Sequence, residues 1–208
     1  MTESLDAALA TARGFFDALS ASDHARAAAL VAPSHRTVFR EYQLAGLASW
    51  ANKRDAIQAM LSGEGNGAVS WGSDGSYRPE ELARVADTPL PVATNVRTLG
   101  ELAALPPDEF VSLFLDLSTP LSASVDSEIM ERTRYRVLGG VLDGADVVHV
   151  VYRSEMTYDD PHHVDVLRVL RSEGGWSIDI STAGHNIVNN SWLMMTLDLA
   201  PPTFGGGT

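Results

Sequence analysis

Residues 130–180 carry the pattern that most limits what this chain can fold into: β-type runs in close succession, joined by short turns. The first, 130–142, ends at Asp143-Gly144, a hairpin dipeptide. The second, 147–157, holds Val147, Val148, Val150, Val151 and Tyr152. The third, 164–170, follows the turn Asp159-Asp160-Pro161, and the fourth, 176–180, follows Glu173-Gly174-Gly175. Connections this short force neighbouring strands to run antiparallel. The predicted product is a curved sheet with one face in need of cover.

The N-terminal half supplies that cover. Leu5, Leu9, Ala12, Phe16 and Leu19 recur at steps of three and four, one stripe of an amphipathic helix, and Phe15 broadens it. Ser22-Asp23 offers an N-cap for a second helix over 25–31, which Pro33 ends. Residues 35–44, with β-branched and aromatic side chains, read as a strand. Asn52 is placed to cap a third helix, with Asp55 in a loose capping-box position, Ile57, Met60 and Leu61 on one side and Gly63 as the stop.

Glycines 63, 65, 67, 72 and 75 predict irregular chain. Pro79 starts a short helix over 80–85, and Leu99, Leu102 and Leu105 mark another, ended by Pro106-Pro107. Phe110, Leu113, Phe114 and Leu117 form a further helical face, closed by Pro120. Residues 200–208 read as a frayed tail. Helices early and strands late indicate an α+β fold, with helices packed on one face of an antiparallel sheet. A bent sheet wrapped on helices leaves a hollow of the kind in which ligands sit.

The stretch from Ala12 through Arg13, Gly14, Phe15, Phe16, Asp17, Ala18 and Leu19 to Ser20, then Ser22-Asp23 and a short helix ending in Ala32-Pro33, resembles the opening of the NTF2-like superfamily, the SnoaL-like and ketosteroid-isomerase-like α+β cones. Lys53-Arg54-Asp55-Ala56-Ile57 is similar to their third helix, and Gly174-Gly175-Trp176-Ser177-Ile178-Asp179 to their last hairpin. The resemblance covers about 5–62 and 120–181, and implies one domain over 1–208 with a helical excursion at about 63–119. It implies a curved sheet wrapped around N-terminal helices and a conical pocket. Members include isomerases, cyclases, dehydratases, epoxide hydrolases and non-catalytic binding domains, so the fold does not select a function.

Composition narrows the partners. A net charge of −12 disfavours nucleic-acid backbones and anionic membranes. The chain has no cysteine, hence no disulfide, thiolate metal site or cysteine nucleophile. Met1-Thr2-Glu3-Ser4 lacks the basic and apolar regions of a secretory signal, and no apolar run is long enough to span a membrane, so a cytoplasmic location is expected. No nucleophile elbow or P-loop is present, and Gly63-x-Gly65-x-Gly67 lacks the strand and third glycine of a dinucleotide site. Adjacent His162-His163 beside Asp159-Asp160 read as a solvated turn rather than a metal centre, and neither metal nor cofactor is expected.

The candidate residues come from the strand faces. Val148, Val150, Tyr152 and Met156 share one side of the second strand, with His149, Arg153 and Glu155 on the other. Arg132, Arg134 and Arg136 oppose Tyr135 and Val137 on the first. This basic row fits an anionic ligand, or more plainly a solvated face paired to acids such as Glu155. Arg168 falls in phase with Val164, Val166 and Leu170; if that side is apolar it requires a carboxylate or a bound anion. Asp165 takes the opposite phase, and inward it is a candidate general base. Tyr42, Tyr135 and Tyr152 are candidate ligand-binding residues, or packed aromatics with satisfied hydroxyls. Trp176 reads as core, and His185, past the last strand, as a candidate acid/base group. The leading expectation is a domain that binds a small apolar organic molecule. An acid/base cavity enzyme (isomerase, cyclase or dehydratase) and a homodimeric assembly module are the alternatives.

Overall fold

The protein was analysed as a computed structural model, which describes residues 2–53, 77–90, 95–118, 134–155, 164–172 and 174–180. The chain divides into two compact units, one of Met1–Arg40 and Pro106–Asn189, the other of Glu41–Leu105 and Asn190–Thr208.

In the first unit the strands are β1 (Arg134–Asp143), β2 (Val147–Glu155), β3 (Val164–Ser172) and β4 (Gly175–Asp179). They form a curved sheet in the order β1-β2-β3-β4, each neighbour antiparallel. Gly144, at a φ of 72°, takes the left-handed conformation that the β1–β2 turn needs, and Gly175 does the same (φ 118°) at the start of β4. Alternation sets the faces. Val148, Val150 and Tyr152 of β2, Leu167 and Val169 of β3, and Ile178 of β4 are buried on one face. A register shift between Val137 and Gly139 switches the alternation of β1, so that Val137 lies opposite Tyr152 and, three residues on, Gly140 lies opposite Val150 on the same face. Trp176, read from sequence as core, is only half-buried near the end of the sheet.

Helix α1 (Thr2–Ser20) lies across this inward face and touches all four strands. Its stripe is the one that the sequence marks: Leu9, Ala12, Phe15 and Phe16 are buried, and Leu5 and Leu19 half-buried. The approach is close at Gly140, where a Cβ would meet the Leu9 side chain at 3.1 Å and the Val148 side chain and His149 carbonyl at 3.2 Å. Asp23 caps α2 (His24–Ala29), accepting from the Arg26 amide at 3.1 Å.

The link from α2 into α3 (Pro33–Asn52) covers the free edge of β4. The Ile178 amide donates to the Leu30 carbonyl at 2.8 Å, and the Ala32 amide to the Ile178 carbonyl at 3.2 Å. Helix α6 (Pro107–Ser118) packs on α2, joined by His24 Nδ1 and Asp116 Oδ1 at 3.1 Å. Phe110 and Phe114 stack at 4.8 Å, and Phe39 meets Phe114 edge-on at 5.6 Å. The buried face of α6 is Phe110, Val111, Phe114 and Leu115; Leu113 is only half-buried.

Residues 35–44 correct the sequence reading: they are helical, not a strand. Pro33 occupies the first helical position, where its missing N–H costs nothing, and the His35 and Arg36 amides bond back to Ala32. The buried set of Phe39, Gln43, Leu44, Leu47 and Ala48 recurs at helical spacing. Asn52 is the last residue of this helix, its side-chain amide donating to the Ala48 carbonyl at 2.9 Å; the helix expected to follow it, with Asp55, Ile57, Met60, Leu61 and Gly63, lies outside the described residues. The second unit also contains α4 (Pro79–Arg84) and α5 (Leu99–Ala104), both at the places expected from their prolines and leucines. Thr98 caps α5 through the Glu101 amide, while the Glu101 carboxylate accepts from the Arg97 amide.

The close approach at Gly140 yields a paired test. G140A is expected to lower unfolding free energy by about 1–3 kcal/mol, the usual range for overpacking. G139A, whose added Cβ meets nothing within 4 Å, is expected to stay within about 0.5 kcal/mol of the parent. Urea unfolding of both variants measures the difference.

Candidate functional site

Strand register brings three of the sequence candidates together. Tyr152 stands opposite Asp165 in the β2–β3 ladder, on the face that carries Val150 and Leu167. The Tyr152 hydroxyl donates to Asp165 Oδ2 at 3.3 Å, and the Val166 amide donates to Asp165 Oδ1 at 2.7 Å. Tyr135, on β1, completes the group, its ring 6.1 Å from that of Tyr152. Phe16 of α1 packs on both tyrosines, with centroids 4.8 Å from Tyr135 and 4.6 Å from Tyr152. The inward face is thus apolar along most of its length, with two phenols and a carboxylate near the β1-start end.

Burial keeps these phenols protonated. Desolvation raises Tyr135 from 10.0 to about 12. Tyr152 is raised further, by desolvation first, then by the Asp165 charge, the Tyr135 neighbour and the hydrogen bond to Asp165. Both groups therefore act as hydrogen-bond donors across the physiological range, not as bases.

The remaining candidates lie elsewhere. Arg168 has the phase of Val164 and Val166, but these are exposed, so its face is the outward one. It finds the carboxylate its position calls for: Arg168 Nε lies 3.1 Å from Asp179 Oδ2, and His35 Nδ1 of α3 lies 2.8 Å from Asp179 Oδ1. Both contacts are at ion-pair distance, although neither nitrogen has hydrogen-bond geometry. Asp179 is 1% exposed and Arg168 39%. This buried Asp179 is the group that sequence reasoning missed. The signal for it is its place directly opposite Arg168 once the β3–β4 turn is fixed.

Tyr42 belongs to the stretch of α3 in the second unit and is exposed. Arg134 and Arg136 are exposed. His185, Arg132, Met156 and the 159–163 turn fall outside the described residues. Among the described residues no group of three or more His, Asp or Glu side chains is arranged to hold a metal ion, and no helix is long and apolar enough to cross a membrane.

The sequence matches no protein-family model, and comparison with curated proteins and with solved structures likewise gives no match.

The shifted phenols make stability sensitive to alkali. Where the folded state binds more protons than the unfolded state, stability falls as pH rises. The contribution of Tyr135 is complete below pH 10 and is lost as pH climbs through about 12, while that of Tyr152, raised further, persists to higher pH. Melting temperatures measured between pH 9 and pH 12 are expected to fall steeply, and Y135F to flatten that fall.

At the Asp179 cluster, R168A is expected to cost about 1–3 kcal/mol, a range reduced from that of a fully buried pair because Arg168 reaches solvent. D179N is expected to cost less, since it removes the buried charge while Arg168 and His35 can turn to water. Chemical denaturation of the two variants gives the order.

Proposed function

We propose that this chain is an NTF2-like α+β domain that holds a small, largely apolar organic molecule against the inward sheet face beside Tyr135, Tyr152 and Asp165. One observation carries the reading: a carboxylate stands in phase with a row of buried aliphatic side chains and is met there by a tyrosine hydroxyl. A site for such a molecule needs apolar walls plus a few polar groups to orient it, and this end of the face supplies both. Phe16 and the two tyrosine rings offer flat apolar contact; Asp165 accepts a hydrogen bond from a ligand hydroxyl or amine.

The test is to extract the purified protein and identify released small molecules by mass spectrometry, alongside D165N and Y152F. A compound enriched with the parent and depleted from both variants is expected. An empty parent, or the same compound retained by both variants, would overturn the reading.

The Tyr152–Asp165 pair also favours a second reading, acid/base catalysis. The Asp165 carboxylate removes a proton from carbon beside a carbonyl, and the electron pair moves onto the carbonyl oxygen. The Tyr135 hydroxyl donates a hydrogen bond to the oxygen that gains charge. Deuterium exchange into a panel of apolar ketones tests this, with loss of exchange in D165N expected.

A further inference from the structure

The outward face of the sheet holds a feature that neither the inward cluster nor the Asp179 pair explains. Arg136 of β1 and Arg153 of β2 are direct cross-strand partners. Like charges directly opposite one another destabilise a sheet. In the ladder, Glu155 stands opposite Arg134 and not opposite either of them. Arg153 Nε is buried and has no hydrogen-bond partner among the described residues, so part of a guanidinium is withdrawn from water without compensation. In a chain of net charge −12, two opposed arginines are a local inversion of sign.

Beside them the face turns apolar. Val164 lies opposite Arg153, and Val151 opposite Val166. Val164 is 47% and Val166 40% exposed. The far end of this strip is marked by His149 opposite Arg168, which already have carboxylate neighbours in Asp143 and Asp179. From Arg153 to His149 along β2 is about 13 Å at strand rise.

We infer that this face binds the carboxylate of an acyl amphiphile, with the head between Arg136 and Arg153 and the acyl chain along Val164, Val151 and Val166. A planar carboxylate matches the guanidinium fork and offsets the repulsion between the two opposed arginines. A second copy of the same face is a poor occupant, because it would set arginine against arginine. A bare oxyanion would leave the valines unused.

The probe is decanoate below its micellar concentration, with binding followed by calorimetry. Saturable binding is expected, weakened roughly tenfold in R136Q and in R153Q, the loss of about one charge-assisted hydrogen bond. V166T is expected to weaken it as well, Y152F and D165N to leave it unchanged, and decyltrimethylammonium not to bind. The exposed Arg136 keeps the test open even if R153Q fails to fold. The inference is overturned if the cationic amphiphile binds as well as decanoate, if R136Q binds like the parent, or if acetate binds equally. It is also overturned if Y152F and D165N abolish binding, which would place the acyl chain on the inward face. Thermal melts add an independent arm. R153Q without ligand is expected to unfold at or above the parent temperature, since an unmatched buried charge is removed; a lower midpoint in folded R153Q would give Arg153 a purely structural role and sink the proposal.

Discussion

A four-stranded meander has two faces and no means of burying either by itself. In this protein one face is closed by α1, and the closeness of that contact governs the chemistry of the sheet. Helix and sheet meet where β1 has no side chain, at Gly140, with Leu9 and Val148 filling the space that a Cβ would need. The same helix brings Phe16 onto Tyr135 and Tyr152. Phe16 thereby contributes to the burial whose desolvation raises Tyr135 to about 12. Packing at one point along the helix thus sets the chemistry at another.

Both sheet faces carry a carboxylate placed by register, and the two differ in kind. Asp165 meets a neutral donor and keeps part of its surface open; Asp179 is enclosed between an imidazole and a guanidinium. The first arrangement leaves acceptor capacity for another molecule. The second is met by Arg168 and His35 and ties α3 to the β3–β4 hairpin. Its removal is a matter of stability, because the groups it joins come from two separate segments of the chain.

The strands are legible in the sequence because alternation, Asp143-Gly144 and Gly174-Gly175 all speak to the same topology. Helix α1 is legible for the same reason: its apolar stripe is unambiguous. Residues 35–44 are not, since Val38, Phe39 and Tyr42 favour a strand by type, while the helical signal lies in the spacing of Phe39, Leu44, Leu47 and Ala48, which extends past that segment. The phase of β3 is equally obscure. Val164, Val166 and Leu170 look like a core row, and Leu167 and Val169 look like another. Only pairing decides: Tyr152 opposite Asp165 puts Asp165 on the face of Val148 and Val150, and Arg168 on the other. Asp179 is hidden for a related reason. Its partner His35 reads as part of a strand by residue type, and only the helical course of α3 brings it to β4.

The length of one contact bears on the proposed site. At 3.3 Å the Tyr152–Asp165 bond is longer than the 2.5–3.0 Å usual for O–H···O, and a carboxylate acceptor ordinarily shortens such a bond further. The other carboxylate oxygen is held by the Val166 amide at 2.7 Å, which anchors Asp165 and limits its approach to the phenol. A ligand hydroxyl or amine free to move could therefore reach Asp165 Oδ2 more closely than Tyr152 does. The phenol, protonated well above neutral pH, would then serve as a donor to the same ligand. On this view the backbone bond that anchors Asp165 keeps its contact with the phenol long, and Oδ2 retains acceptor capacity for a third polar atom beside the pair.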